Sequence, residues 1–385
     1  LALFLSSSVA IALLLNLHTD ALLLGPGVGI EASTKPFFDF VKYLNGIHEH
    51  LGFILIGTAT ISACAVASLS WLGYFRYRNS FGEHYPLREL LTFPGIATIE
   101  RLLFALAVIL LGTAAWLAGF EMESGLKLIS HWAVQTNAWV NATVPTLVEL
   151  PYVAAFFVSY GIAGFVHYWL HRLSHESRFL WLLFHRFHHM PTVMFPSAVP
   201  PVFFSVPLFV FVVIPYHLTF GMLTKLFCDQ PLYFAMIIYK LIYYIPDNWA
   251  HNTAMFHSGR RNPLVMLSSF ILSNGIFHYV HHSSIRSDGK ATNMVNLGGS
   301  FLHLPDLIFG TFRWVPRTLP PVGLTDQPTL HYNPIRLSLS GMAQIVYELY
   351  HNRRWKTWLN ILFGPVDYAP SRSKDFAIKA STSAA

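Results

Sequence analysis

The chain is built from long uncharged runs separated by short polar segments. LGFILIGTATISACAVASLSWLGYF (51–75) and LLFALAVILLGTAAWLAGF (102–120) contain no charged residue. LPYVAAFFVSYGIAGFV (150–166) and VPPVFFSVPLFVFVVIPYHLTFGML (199–223) share this character, and PLYFAMIIYKLIYYI (231–245) carries only Lys240. A bilayer core takes about 20 helical residues to cross. Backbone inside lipid must also satisfy its own hydrogen bonds, so these runs predict membrane helices. Trp71, Tyr74 and Phe120 stand at run ends, where aromatic rings suit the headgroup region. The first residues, LALFLSSSVAIALLLNLHTDALLL (1–24), predict a further span, the alternative being the hydrophobic part of a signal sequence. The fold expected is an all-α, polytopic membrane helical bundle of about five to six transmembrane helices.

Composition agrees. Hydrophobic residues make up 54% of the 385 and charged residues 11%, against about 25% charged in soluble domains. The formal charge of +6 is not gathered into a recognisable nucleic-acid-binding motif, so no nucleic acid is expected as a partner. Cys64 and Cys228 fall in or beside apolar runs and do not form a disulfide framework. Counting the spans places the segments 76–101, 167–198 and 246–385 on one face. The first two carry Arg76, Arg78, Arg88, Arg101, Arg172, Arg178 and Arg186, against Lys35, Lys42, Lys127 and Lys225 opposite. Positive charge marks the cytoplasmic side.

That topology gathers histidine. His167, His171, His175, His185, His188 and His189 lie in one of these segments, and His251, His257, His278, His281 and His282 in another. FHRFHH (184–189) and HYVHH (278–282) repeat one spacing, i, i+3, i+4, which a helix presents on one side. Each triplet is therefore expected to converge on one point. HYWLHRLSH adds His167, His171 and His175 at four-residue intervals. Neutral imidazole is the commonest metal ligand, and so dense a cluster would be costly to bury without one. These histidines outnumber the four ligands of a structural zinc, and the zinc-protease motif HExxH is absent, since HESRF (175–179) has no second histidine. A pair of redox-active ions is the remaining reading.

The ordered boxes HRLSH, HRFHH, a histidine after the last span, and HYVHH resemble those of the fatty acid hydroxylase/sterol desaturase superfamily of integral-membrane di-iron enzymes. YWLHR (168–172) is similar to its YWxHR element, and NLGGSFLHLPDLIFGTF (296–312) to the WDxxFGT-like segment after the last box, with Pro305 where tryptophan is usual. The resemblance implies a monooxygenase-type lipid hydroxylase or desaturase with two iron ions and O2 as co-substrate. The implied metal ligands and catalytic residues are His171, His175, His185, His188, His189, His251, His278, His281 and His282. His167, His257 and Asp247 are the candidates for an extra ligand or a supporting role, and Glu176, Asp288 and Asp306 for supporting carboxylates.

MPTVMFPSAVPP after the second box resembles the fatty acid and ceramide 2-hydroxylase branch and favours an acyl-chain substrate over a sterol or other isoprenoid. Electrons would come from a separate donor, cytochrome b5- or ferredoxin-like with its reductase. The metal site would face the cytoplasm from the endoplasmic reticulum or a bacterial inner membrane. The expected organisation is membrane helices and loops over 1–150, a catalytic domain over 151–315, and a cytoplasmic tail over 316–385. A reading of another class, a membrane metal transporter or sensor, would want ionisable residues within the spans, where His217 and Lys240 stand nearly alone.

Overall fold

The computed structural model describes residues 135–194, 214–233, 253–272, 275–285, 293–298, 301–324 and 334–371. It also describes positions 72, 75–76, 89, 92, 110, 113–114, 117–119, 212, 235–236, 238–240 and 251. The expected span at 1–24, and most of those at 51–75, 102–120 and 199–223, lie outside the described residues, as does the end of the one at 231–245. Among the described residues the chain is helical, without strands; Ser177 with Pro365 and Ser283 with Val322 form isolated bridges.

Helix α1, Tyr152–Glu176, has a run of apolar side chains long enough to cross a bilayer. A soluble core helix hides its apolar face, whereas here Val153 and Phe157 are exposed. After Ser177 come a short helix α2 (Arg178–Leu180), a wider π-turn (Trp181–His185) and α3 (Arg186–His189). Further along are α4 (Ile214–Lys225), α5 (Thr253–Arg261), α6 (Pro263–Leu272) and α7 (Gly275–His281). Then follow a 3-10 turn at Phe301–His303, α8 (Leu304–Ile308), α9 (Pro334–His351) and α10 (Trp355–Phe363). The apolar stretch 264–278 is not one element. It breaks between α6 and α7, and Gly275 takes a left-handed backbone (φ 45°) against Ser269, where a Cβ would collide.

The chain divides into two compact units, 1–71 with 101–166 and 210–245, and 72–100 with 167–209 and 246–385. In the first unit, the Tyr233 hydroxyl donates to Asn137 (2.6 Å), the Tyr216 hydroxyl donates to the Ala163 carbonyl (3.2 Å), and Tyr160 meets Tyr239 edge-on. The second unit unites the three segments expected to share a face.

Its packing explains how the histidine-bearing turn is held. Arg178 is buried and pairs with the buried Glu348 of α9 at 2.7 Å. It also donates to the carbonyls of Ile361 (3.2 Å) and Tyr368 (3.0 Å), so one guanidinium ties α2 to three points between 348 and 368. A charge this deep is tolerable only when its donors are met. Gly341 of α9 rests on the Leu182 backbone, with no room for a Cβ, and Arg186 donates to Gln344 (3.1 Å). Beyond α3, Glu89 accepts from both the amide (3.0 Å) and hydroxyl (2.5 Å) of Thr192.

Candidate metal centre

The nine histidines named from the boxes come together as two groups. His171, His175, His185, His189 and His281 form the first, His188, His251, His278 and His282 the second, and within each the nearest ring nitrogens all lie within 4.8 Å. In the first group, His185 Nε2 stands 3.0 Å from His171, 2.8 Å from His175 and 3.0 Å from His189, while His175 faces His281 at 3.1 Å. In the second, His282 Nε2 is 3.0 Å from both His188 and His278, and His251 is 3.0 Å from His278 and 3.3 Å from His188. The groups adjoin, because the rings of His189 and His282 stack at 4.1 Å.

The triplets do not converge one to a group. His185 and His189 serve the first and His188 the second, while His278 and His282 serve the second and His281 the first. The i and i+4 rings stay together and the i+3 ring crosses over. Successive helical residues are about 100° apart, so His188 and His189 aim at different points once the centre lies between helices.

Nitrogens this close need something between them. A neutral imidazole has one N–H and one lone pair. His171 Nδ1 donates to the Leu297 carbonyl (2.5 Å) and His281 Nδ1 to that of Val295 (2.9 Å), which leaves their Nε2 atoms as bare acceptors pointing inward. His185 Nε2 has at most one proton for three neighbouring nitrogens. A shared cation resolves this: two nitrogens each about 2.1 Å from an ion and at right angles to one another stand about 3.0 Å apart. Burial, then the neighbouring histidines, holds His185, His189 and His282 well below the usual imidazole value, so these rings stay neutral and able to bind metal. The donor set fits metal.

The carbonyls of Val295 and Leu297 sit in a loop with supports of its own. The Asp306 carboxylate, fully buried, accepts the amides of Leu297 (2.7 Å) and Gly298 (2.9 Å) and the Thr311 hydroxyl (2.7 Å). Asn296, with φ 50°, donates through Nδ2 to the carbonyls of Phe277 (3.2 Å) and Arg313 (3.0 Å) and accepts the Arg313 amide (2.8 Å). Tyr168 joins this shell through a 3.1 Å hydrogen bond with Thr311 and receives Arg172 at 3.2 Å.

The remaining candidates fall elsewhere. The His167 ring is 5.9 Å from that of His171 and outside both groups, as is the partly buried His257. Glu176 is exposed and pairs with Arg172 (2.9 Å). Asp247 and Asp288 lie outside the described residues. Of the supporting carboxylates, Asp306 is joined to the His171 ring through the Leu297 backbone. Glu89, Arg178, Glu348 and Asn296 went unnoticed in the sequence, and so did Trp181, whose ring packs 5.3 Å from His175 and 5.4 Å from His189.

The segment from α1 through Thr311 holds every one of these histidines. Residues 156–311 match the fatty acid hydroxylase family. The resemblance to the fatty acid hydroxylase/sterol desaturase superfamily is therefore shown over this segment, which also includes Asp306 and the loop it anchors. The family is membrane-associated, consistent with the apolar helix α1. No curated protein and no solved structure matches the chain.

Proposed function

We propose that this chain is a membrane di-iron oxidoreductase that uses O2 and electrons from a separate donor to hydroxylate or desaturate a lipid, foremost a fatty acyl chain. The observation that carries the proposal is the pair of histidine groups, five and four, inside a fatty acid hydroxylase segment. Bound there, two irons would supply the redox chemistry needed to oxidise an unactivated C–H bond. In hydroxylation one oxygen atom enters that bond and the other leaves as water, with two electrons from the donor. In desaturation two hydrogens leave the chain and, with two electrons from the donor and two protons, both oxygen atoms become water.

The protein's own residues position and exclude. The nine imidazoles would hold the ions, with Nδ1 of His171 and His281 anchored on the loop carbonyls so that Nε2 is fixed in direction. Trp181 covers one side of the five-histidine group with an apolar ring. The acyl preference rests on MPTVMFPSAVPP, similar to the 2-hydroxylase branch.

Two measurements test the proposal. Metal analysis of purified protein should find about two irons per chain, since five and four donors suit one ion each. Lipid extracts from cells with and without the chain should differ by one added oxygen atom or two lost hydrogens on an acyl chain. A shift confined to sterols selects the isoprenoid reading, and loosely held metal with no lipid change selects transport or sensing.

A further inference from the structure

Helix α9 has two faces. One presses on the histidine-bearing turn, through Gly341 on Leu182 and Glu348 on Arg178. On the other, Leu339, Met342, Val346 and Tyr350 are exposed and, at 3.6 residues per turn, form a single stripe. Val346 is 59% and Tyr350 77% exposed, so large apolar side chains stand clear of the protein. The next helix repeats the pattern. Trp355, Trp358, Leu359 and Phe363 of α10 form an exposed stripe, while Ile361 points inward and is buried.

The charges beside these stripes have one sign. Arg353, Arg354 and Lys356 are exposed at the junction of the two helices. The one acid between 334 and 363 is Glu348, which is buried and already neutralised by Arg178. We infer that the α9–α10 pair is an in-plane anchor, laying its apolar stripes into a bilayer whose anionic headgroups meet Arg353, Arg354 and Lys356.

Three observations select a lipid surface over other occupants. Tryptophan and tyrosine combined with arginine and lysine, on helices with one apolar side, are the chemistry of the headgroup boundary. A second copy of this chain would bring like charges together, and neither helix can cross: α10 has nine residues, and α9 has 18 with a buried Glu348 on one side. The basic cluster gains from anionic lipid wherever it comes near the surface. Because α9 also backs the turn that carries His185, the anchor would fix the depth of the histidine centre at the surface from which a lipid substrate enters. The anchoring itself does not depend on the proposed chemistry.

The test uses the full chain with Cys64 and Cys228 replaced by alanine and one new cysteine for a nitroxide label, Tyr350→Cys, Phe363→Cys or, on the flank of α10, Asn360→Cys. Each variant is reconstituted into bilayers of equal parts phosphatidylcholine and phosphatidylserine, and into phosphatidylcholine alone. Accessibility of the label to O2 is compared with accessibility to a water-soluble nickel chelate. The O2-to-nickel ratio should be several-fold higher at 350 and 363 than at 360. The change Arg353→Gln, Arg354→Gln and Lys356→Gln together should shrink that difference in the anionic bilayer. Ratios at 350 and 363 equal to that at 360 overturn the inference, as do labels shielded from both reagents, which would mean a protein partner or a second copy. Unchanged insertion in the charge variant overturns the anionic-lipid part. Iron content of the same preparations reports separately on the proposed function.

Discussion

Asp306 holds the amide of Leu297 at 2.7 Å while the carbonyl of the same residue receives the ring N–H of His171 at 2.5 Å. A carboxylate outside both histidine groups thus sets the direction of a ring within one of them. Replacing it with asparagine keeps its size and exchanges an acceptor for a donor, leaving one of Leu297, Gly298 or Thr311 without a partner. We expect Asp306→Asn to cost about 1–3 kcal/mol of stability. Metal affinity should weaken about 10–100-fold, as for other partners of ligand-orienting groups. Chelator competition and thermal unfolding on one preparation measure both, and an unchanged affinity would show that the loop holds its shape without Asp306.

Removing His188 should empty one group and spare the other. His188→Ala is expected to lower iron from about two ions per chain to about one, because five imidazoles remain together while three are left in the second group. His167→Ala and His257→Ala should leave iron content unchanged, since neither ring belongs to a group. Elemental analysis of the three variants decides between this grouping and one in which all the histidines contribute alike.

The buried Arg178–Glu348 pair, which belongs to neither histidine group, predicts a loss of stability. Glu348→Gln leaves the guanidinium charged without its counter-ion and should cost about 3–5 kcal/mol. The double change Arg178→Met with Glu348→Leu should recover part of that cost, since no lone charge is then buried. Unfolding midpoints of Arg178→Met, Glu348→Leu and the double measure the recovery; a double change as harmful as these two singles summed would mean the pair is not coupled.

Acid should destabilise the metal-free protein. His185, His189 and His282 are held well below their ordinary value by burial and neighbouring rings, so the folded state refuses protons that the unfolded chain accepts. Above about pH 6.5 neither state is protonated and stability is flat; below it the unfolded chain gains protons and stability falls. The unfolding midpoint of chelator-stripped protein, followed from neutral pH downward, should drop once pH passes below about 6.5. A midpoint that stays flat through this range would mean the rings are as exposed in the folded protein as in the unfolded chain.

Much of the centre was legible in the sequence, because histidine in helical spacing is rare and its chemistry specific. All nine residues singled out for the boxes are drawn into the two groups. What could not be read was their partition, since the spacing rule assumes a target outside the helix and this one lies between helices. The carbonyls of Val295 and Leu297 were also invisible, because a backbone acceptor leaves no mark in residue type. Arg178 and Glu348, 170 residues apart, each look like an ordinary charged residue until the fold brings them together. Helical character and the apolar α1 followed directly from the length and uniformity of the runs.

The crossing of His188 and His281 has a consequence for biogenesis. Neither histidine group is encoded by a contiguous stretch: the first draws on positions from 171 to 281 and the second on positions from 188 to 282. A nascent chain that has emerged only as far as α3 would hold four rings of one group and a single ring of the other. Loading of both ions would therefore wait for the last box, and the two groups would be completed within one residue of each other.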